Sequence, residues 1–389
     1  SNRINTPEMA EHVLASGHAD MVSMARPLLA DSAFVNKAEA GKSDEINTCI
    51  GCNQACLDHI FSLRIATCLV NPRACFETEL IFKQSEQVKN IAVIGAGPAG
   101  LSFATYAADR GHQVTIFDAA NQIGGQFNIA KTIPGKEEFY ETLRYFKRQI
   151  ELKPNIKLQL NHIATFEELN DSEFDEIVVA TGVTPRSLDI PGVDHPKVLS
   201  YIEVLKDRVP VGKRVAIIGA GGIGFDTAEY LTHSGESSSL NAEKFYDEWG
   251  IDTSYAHVGG LKEPVVEQSE REIYLLQRKA KSVGAGLGKT TGWIHRTGLK
   301  NRNVNMIPCV SYEKIDDAGL HIIVNDQPSV LEVDHIVICA GQESFTAMYE
   351  QLQQAGKSVH LIGGAKEAGE LDAKRAIRLS ARYLRNFIE

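Results

Sequence analysis

The segment 90–100 reads NIAVIGAGPAG, and a second segment, 214–224, reads RVAIIGAGGIG. Each is an apolar run short enough for a buried strand, followed by a Gly-x-Gly-x-x-Gly turn that opens a helix. In the first turn Gly95 permits the tight bend, Gly97 lets a pyrophosphate approach the backbone, and Gly100 lets the helix pack close to the strand. Ala99 belongs to the same turn. Gly219, Gly221, Gly222 and Gly224 repeat the arrangement in the second. In both, the helix amino end supplies amide donors and partial positive charge for an anion.

Outward from these turns, each motif has a later apolar strand, VTIFD at 114–118 and IYLLQ at 273–277. Two more strands end in small residues, EIVVATG at 176–182 and HIVICAG at 335–341. The order predicts an α/β chain with two Rossmann-like nucleotide-binding domains, the second inserted in the first. The first domain is expected over 88–197 and 342–389, the second over 198–341. The chain returns to the first at HLIGGA (360–365) and a helix after Asp372. Thr181, Gly182 and Gly364, in the turns of these segments, are further candidate cofactor-binding positions.

The charges at the ends of the second strands separate the two sites. Asp118 stands at about the twenty-residue distance expected of an acid that binds ribose hydroxyls, and it would repel a 2′-phosphate. The first site therefore suits FAD or NAD, with Gly125 and Gln126 in the following GGQ turn bordering a flavin. A strand–helix turn without nucleotide is the competing reading, and the acid disfavours it. In the second unit the corresponding positions are Arg278 and Lys279, two cations suited to the 2′-phosphate of NADPH. A polar insertion at 234–271 interrupts the usual spacing there. The loop 282–291, SVGAGLGKTT, carries Lys289 among hydroxyls but lacks phosphate-loop spacing. It reads equally as a loop near the nicotinamide nucleotide or as plain surface.

Five of the seven cysteines fall between Cys49 and Cys75. Their spacing, Cys49-x2-Cys52-x3-Cys56-x11-Cys68, places four thiols where they can wrap one centre. Zinc and an iron–sulfur cluster are the two candidates for thiolate sulfur. Zinc sites usually pair short knuckles at each end, whereas here three cysteines share one loop, which favours a [4Fe-4S] cluster. Cys75 is expected to be a bystander, and Cys309 and Cys339 to be buried small hydrophobes. The cluster segment with its linker, KQSEQVK at 83–89, is expected over 48–87.

Before it, a helix is expected from Thr6 to Ser16, with Thr6 as cap, Pro7 in the first turn, and Met9, Val13 and Leu14 on one face. A short strand is expected over DMVSM (20–24), followed by Ala25 and Arg26 in a loop.

The net charge of −10 and the absence of a long basic run exclude nucleic-acid binding as a main role. No uninterrupted apolar run of about 18 residues is present, so no membrane span is expected. Clustered cysteines without a secretion leader point to a reducing cytoplasm. NADPH gives two electrons as hydride, a cluster takes one at a time, and a flavin does both. The three sites together imply an electron-splitting relay whose chemistry belongs to its cofactors. No catalytic acid or base is required, and none is assigned; His59, His295 and His335 read as ordinary surface or core histidines.

The runs NTCIGCNQAC (47–56), CLVNPRAC (68–75), GGQFNIAK (124–131), GAGGIGFD (219–226) and GKTTGWIH (288–295) closely resemble bacterial NADPH-dependent 2,4-dienoyl-CoA reductases. These are flavoproteins related to old yellow enzyme and trimethylamine dehydrogenase. The resemblance spans the whole chain. It implies an order of electron flow from NADPH through FAD and the cluster to FMN and an unsaturated fatty acyl-CoA, in fatty-acid β-oxidation. It also implies that the FMN and the acyl-CoA belong to a TIM barrel of about 250 residues. Only residues 1–47 precede the cysteines here, so they are expected to be the end of such a barrel, its last strand and helices, and the chain a fragment. Arg3, Ala25 and Arg26 would then be part of the FMN phosphate site, at the ends of strands seven and eight. Two other classes stay open: an amine dehydrogenase of the trimethylamine type, and a non-catalytic cluster-bearing interaction module. The small subunit of glutamate synthase shares the logic but has cysteines for more than one cluster.

Overall fold

The apolar runs become strands buried on both faces, as expected where helices cover a parallel sheet on either side. In the computed structural model, which describes residues 3–369 and 372–387, the chain lays down β1 (Asn90–Ile94), β2 (Gln113–Phe117), β3 (Ile156–Gln159) and β4 (Glu176–Val179). It leaves through β5 (Val183–Pro185) and builds β6 (Val198–Ser200), β7 (Arg214–Ile218), β8 (Glu272–Leu276) and β9 (Asn305–Ile307). β10 (Val310–Asp316), β11 (Gly319–Val324), β12 (Gln327–Leu331) and β13 (His335–Ile338) follow. It returns through β14 (Gln342–Ser344) and ends the strand set with β15 (Val359–Leu361).

Two units result. The first comprises the chain up to Asn128, Glu138–Thr184 and the chain from Gln342 onward; the second comprises Ile129–Glu137 and Pro185–Gly341. Compared with the expected boundaries, the second unit starts at Pro185 and also takes in the short segment Ile129–Glu137.

In the first unit the strand order is β15-β4-β1-β2-β3, all parallel. Ile91, Ala92 and Val93 are fully buried. The helix Pro98–Asp109 that follows β1 presents Ala104 and Ala107 to the core, small enough for close contact with the sheet. The helix Ala373–Phe387 packs on it, with the Ser102 hydroxyl donating to the Ile377 carbonyl (3.3 Å) and Arg110 to the Leu384 carbonyl (3.0 Å). The second unit repeats the plan, β6-β13-β7-β8-β9, all parallel, and adds the antiparallel meander β10-β11-β12. In both sheets the order reverses beside the motif strand, β1 or β7. Such reversals open the crevice in which open α/β sheets bind ligands.

The amino-terminal segment departs from expectation. The helix Pro7–Ala15 forms, with the Thr6 side chain accepting from the Met9 amide at 3.2 Å. Met9 is exposed, however, and Ala10 is the residue it buries. No strand forms at Asp20–Met24; the segment is irregular, and Met21 is 80% exposed. Among the described residues before Asn90 no strand is present at all, so neither Arg3 nor Ala25 and Arg26 end one. The reason is physical. A parallel strand is held by ladder bonds to neighbours on its edges, and β propensity alone does not supply them. Among the described residues no helix is long and apolar enough to cross a membrane.

Candidate functional site

In the first unit the predicted residues gather at the carboxyl ends of β1, β2 and β4. Gly95 has φ +112°, and a Cβ there would lie 2.5 Å from the Ala180 carbonyl oxygen. A Cβ on Gly100 would run into the Gly95 carbonyl, so the helix can sit this close only without one. Gly125, at φ +51°, approaches the Cα of Gly97, so the two glycine turns face each other across a side-chain-free cradle. Asp118 ends β2 and accepts from the Ala96 amide (2.6 Å) and the Ala120 amide (2.8 Å), which fixes its carboxylate beside the motif. Gln126 accepts from the Gln342 side chain at 3.2 Å. Thr181 donates to the Phe345 carbonyl (2.8 Å), Gly182 takes φ +76°, and the Gly364 carbonyl accepts from Ser344 (2.7 Å). Ala99 faces Gly363, where an added Cβ would lie 2.5 Å from its own. A cradle that any Cβ would fill suits a ligand that must touch backbone, as a dinucleotide pyrophosphate does.

The second unit has the matching turn. A Cβ on Gly219 would meet the Cys339 carbonyl at 2.5 Å and one on Gly224 the Gly219 carbonyl, whereas Gly221 and Gly222 face open space. Beyond β8, the Gln277 amide group donates to the carbonyls of Lys279 (3.1 Å) and Lys281 (2.6 Å). The Cys309 amide also donates to the Lys279 carbonyl, at 3.3 Å. The backbone is thus clamped while the Arg278 and Lys279 side chains stay exposed. Arg278 acts electrostatically on Tyr312, whose burial pushes its hydroxyl up to about 12. Lys289 is exposed in the separate loop before the helix Gly292–Asn301. The insertion is tied down by Arg302, which is 7% exposed and pairs with Glu229 and, at 2.8 Å, with Glu248.

The four spaced cysteines line one cavity in the first unit, with Arg26, Leu29, Ile50, Asn53, Ala55, Thr67, Leu69 and Val70. The loop is braced from both sides. The Asn47 side chain donates to the Val70 carbonyl (3.0 Å) and the Thr67 amide to the Ala55 carbonyl (2.8 Å). Burial pushes the Cys52 and Cys68 thiols up to about 12 and raises that of Cys49. Backbone amides oppose this, from Gly51 toward Cys49, Gln54 toward Cys52, and Val70 and Asn71 toward Cys68. Cys68, Cys56 and Cys49 each resist ionisation of Cys52. Among the described residues no group of three or more His, Cys, Asp or Glu is placed to hold a metal ion. Cys75 is exposed, Cys339 is buried with Thr227 at 3.5 Å, and Cys309 is only half-buried, less than expected of it.

Arg3 and Arg26 both turn to this loop. Arg3 pairs with Glu138 (2.8 Å), which also accepts from Asn5 (2.9 Å), and a Cβ on Gly51 would strike the Arg3 guanidinium. Arg26 donates to the Asn53 side chain at 2.7 Å.

Three residues escaped the reading of the sequence. Gly363 takes φ +59° against Ala99. Lys136 pairs with Asp226 on the second motif's helix at 2.5 Å. Phe127, the residue after Gln126, is buried in the apolar cluster that also holds Ile50, Leu69 and Val70 and packs Cys49, Cys52 and Cys68. The Gly124–Gly125 turn and the cysteine segment therefore share one packed core. Phe127 lies in the run GGQFNIAK, but nothing local to that run tells that it packs against the cysteine loop.

Residues 89–364 match the family model described as pyridine nucleotide-disulphide oxidoreductase. A metal reductase of Desulforamulus reducens is 34% identical over 368 residues, covering 94% of this chain and 54% of the relative. A cinnamate reductase of Clostridium sporogenes is 28% identical over 367 residues, covering 94% of this chain and 50% of the relative. The solved structure of a 2-naphthoyl-CoA reductase in complex with 2-naphthoyl-CoA superposes with a TM-score of 0.84 at 28% identity, over 98% of this chain and 52% of that one. The chain thus spans about half the length of these relatives.

Proposed function

The chain belongs to the pyridine nucleotide-disulphide oxidoreductase family, and on that premise we propose that it is the NADPH-oxidising, electron-input half of a 2,4-dienoyl-CoA reductase. The reductases named among its relatives agree with an NAD(P)H-dependent flavin oxidoreductase. A relay from flavin to cluster is supported by one observation, the apolar cluster around Phe127 in which the Gly124–Gly125 turn and the cysteine-lined cavity meet. The 2,4-dienoyl-CoA acceptor is supported by the resemblance of the runs at 47–56, 68–75, 124–131, 219–226 and 288–295.

Bound in these sites, NADPH, FAD and a [4Fe-4S] cluster would supply hydride release, two-to-one electron exchange and single-electron storage. The residues supply position. Gly95, Gly97, Gly100 and Gly125 leave backbone open to a pyrophosphate, and Asp118 stands where a ribose would be held. Gly219, Gly221, Gly222 and Gly224 do the same for the nicotinamide nucleotide, with Arg278 and Lys279 for a 2′-phosphate and Lys289 as a further cation.

Cys49, Cys52, Cys56 and Cys68 would hold the cluster. A single zinc needs its sulfurs about 2.3 Å from one point. A cubane binds each thiolate to a different iron, so its ligands stand around a body, as these stand around a cavity. The backbone amides near Cys49, Cys52 and Cys68 are donors of the kind that tune such clusters. FMN and the unsaturated acyl-CoA would belong to the longer protein, with Arg3, Ala25 and Arg26 as candidate phosphate contacts. A reducing cytoplasm suits the free thiols.

The test is iron, flavin and redox analysis of one anaerobic preparation. We expect FAD, four irons per chain and bleaching of both chromophores by NADPH. One zinc and no iron would overturn the cluster, and flavin unreduced by either nicotinamide nucleotide would overturn the function.

A further inference from the structure

The helix Gly222–Thr232, whose amino end carries the second dinucleotide turn, has two acids, Asp226 in its second turn and Glu229 at the start of its third, and no basic residue. Negative charge this close to a helix amino end opposes an incoming anion, and the opposition grows as water is excluded. Both acids are neutralised from outside the helix. Arg302, nearly buried, pairs with Glu229. Lys136 places its ammonium 2.5 and 2.6 Å from the two Asp226 oxygens, with both side chains largely buried.

Lys136 comes from a segment foreign to its neighbours in sequence. Residues Ile129–Glu137 follow the flavin-side turn directly, yet they belong to the second unit. Ile133 is 1% exposed in that unit's core, and Glu137 accepts from Ser239 at 2.6 Å. The strap is thus anchored on both sides of Lys136, and the ammonium is delivered to Asp226 by packing that does not depend on the ion pair.

We infer that Lys136 is a positioning residue for the nicotinamide nucleotide, cancelling the Asp226 charge so that the helix amino end can accept a pyrophosphate. This rests on the proposal that the second unit binds that nucleotide. Asp226 lies about one helical turn, roughly 5.4 Å of rise, inside the motif. Left unpaired it repels both NADPH and NADH, since both carry the pyrophosphate. The 2′-phosphate cations Arg278 and Lys279 act on NADPH alone.

The experiment compares Lys136→Met, Asp226→Asn and the double variant in the full, FAD-loaded chain. Dissociation constants for NADPH and NADH are read by flavin reduction at rising nucleotide concentration. Lys136→Met is expected to weaken both nucleotides about tenfold with flavin content unchanged. Adding Asp226→Asn is expected to restore most of that loss, because the acid, not the missing lysine, is the obstacle. A double variant as weak as Lys136→Met would overturn the inference, showing that the lysine only fastens the strap. So would unchanged binding in Lys136→Met. Wild-type chain that binds neither nucleotide would refute the site itself, a separate outcome.

Discussion

Asp118 and Arg278 follow the strand after the motif strand in their respective units, β2 and β8, and carry opposite charge, and that inversion is how the two sites are told apart. An acid accepts ribose hydroxyls; a guanidinium offers a fork of donors to a phosphate. Arg278→Ala should therefore cost NADPH about 1–3 kcal/mol, roughly five- to 150-fold in KM, and leave NADH nearly unchanged. Equal losses with both cofactors would remove Arg278 from the 2′-phosphate. Among the cysteines, Cys68→Ser should abolish or alter iron–sulfur absorbance, while exposed Cys75→Ser should keep four irons per chain. Iron content that falls alike in both variants would contradict the ligand set. The placement of these residues was readable in sequence because it follows from local rules: spacing for thiols, turn chemistry for glycines, strand ends for charges. That of Gly363, Lys136 and Phe127 was not. Each has meaning only through an approach of distant backbone, to Ala99, Asp226 and the cysteine loop.

At the scale of elements, the strand–turn–helix units depend on closeness that glycine alone permits. Gly100→Ala drives a methyl into the Gly95 carbonyl and must push the helix Pro98–Asp109 from β1. The expected result is a loss of about 1–3 kcal/mol with a lower melting temperature and reduced FAD content. Full flavin at wild-type Tm would show that the turn has more room than its geometry indicates. The parallel strands announced themselves as apolar runs between glycines, because burial on both faces removes any alternation. The segment Asp20–Met24 reads as a short strand-like run and forms no strand, since pairing partners are a property of the surrounding chain. The strap Ile129–Glu137 was equally hidden: nothing in its composition says which unit it joins, and Ile133 decides that by where it is buried.

At the scale of the whole molecule, the proposed function divides labour: two nucleotide units and a thiol-lined cavity would collect electrons here, and an acyl-CoA would be reduced outside the residues of this chain. On that reading, hydride transfer from NADPH to FAD would need only residues of the two units described here. Placing FMN against a thioester needs a barrel whose strands are not among those described, and Arg3 and Arg26 are engaged with Glu138 and Asn53. The most direct test is a paired assay on one FAD-loaded, iron-bearing preparation, following NADPH oxidation against ferricyanide and against a 2,4-dienoyl-CoA with FMN added. Turnover is expected with ferricyanide and none with the dienoyl-CoA. No NADPH oxidation with ferricyanide, or measurable reduction of the dienoyl-CoA by this chain alone, would contradict the proposed function.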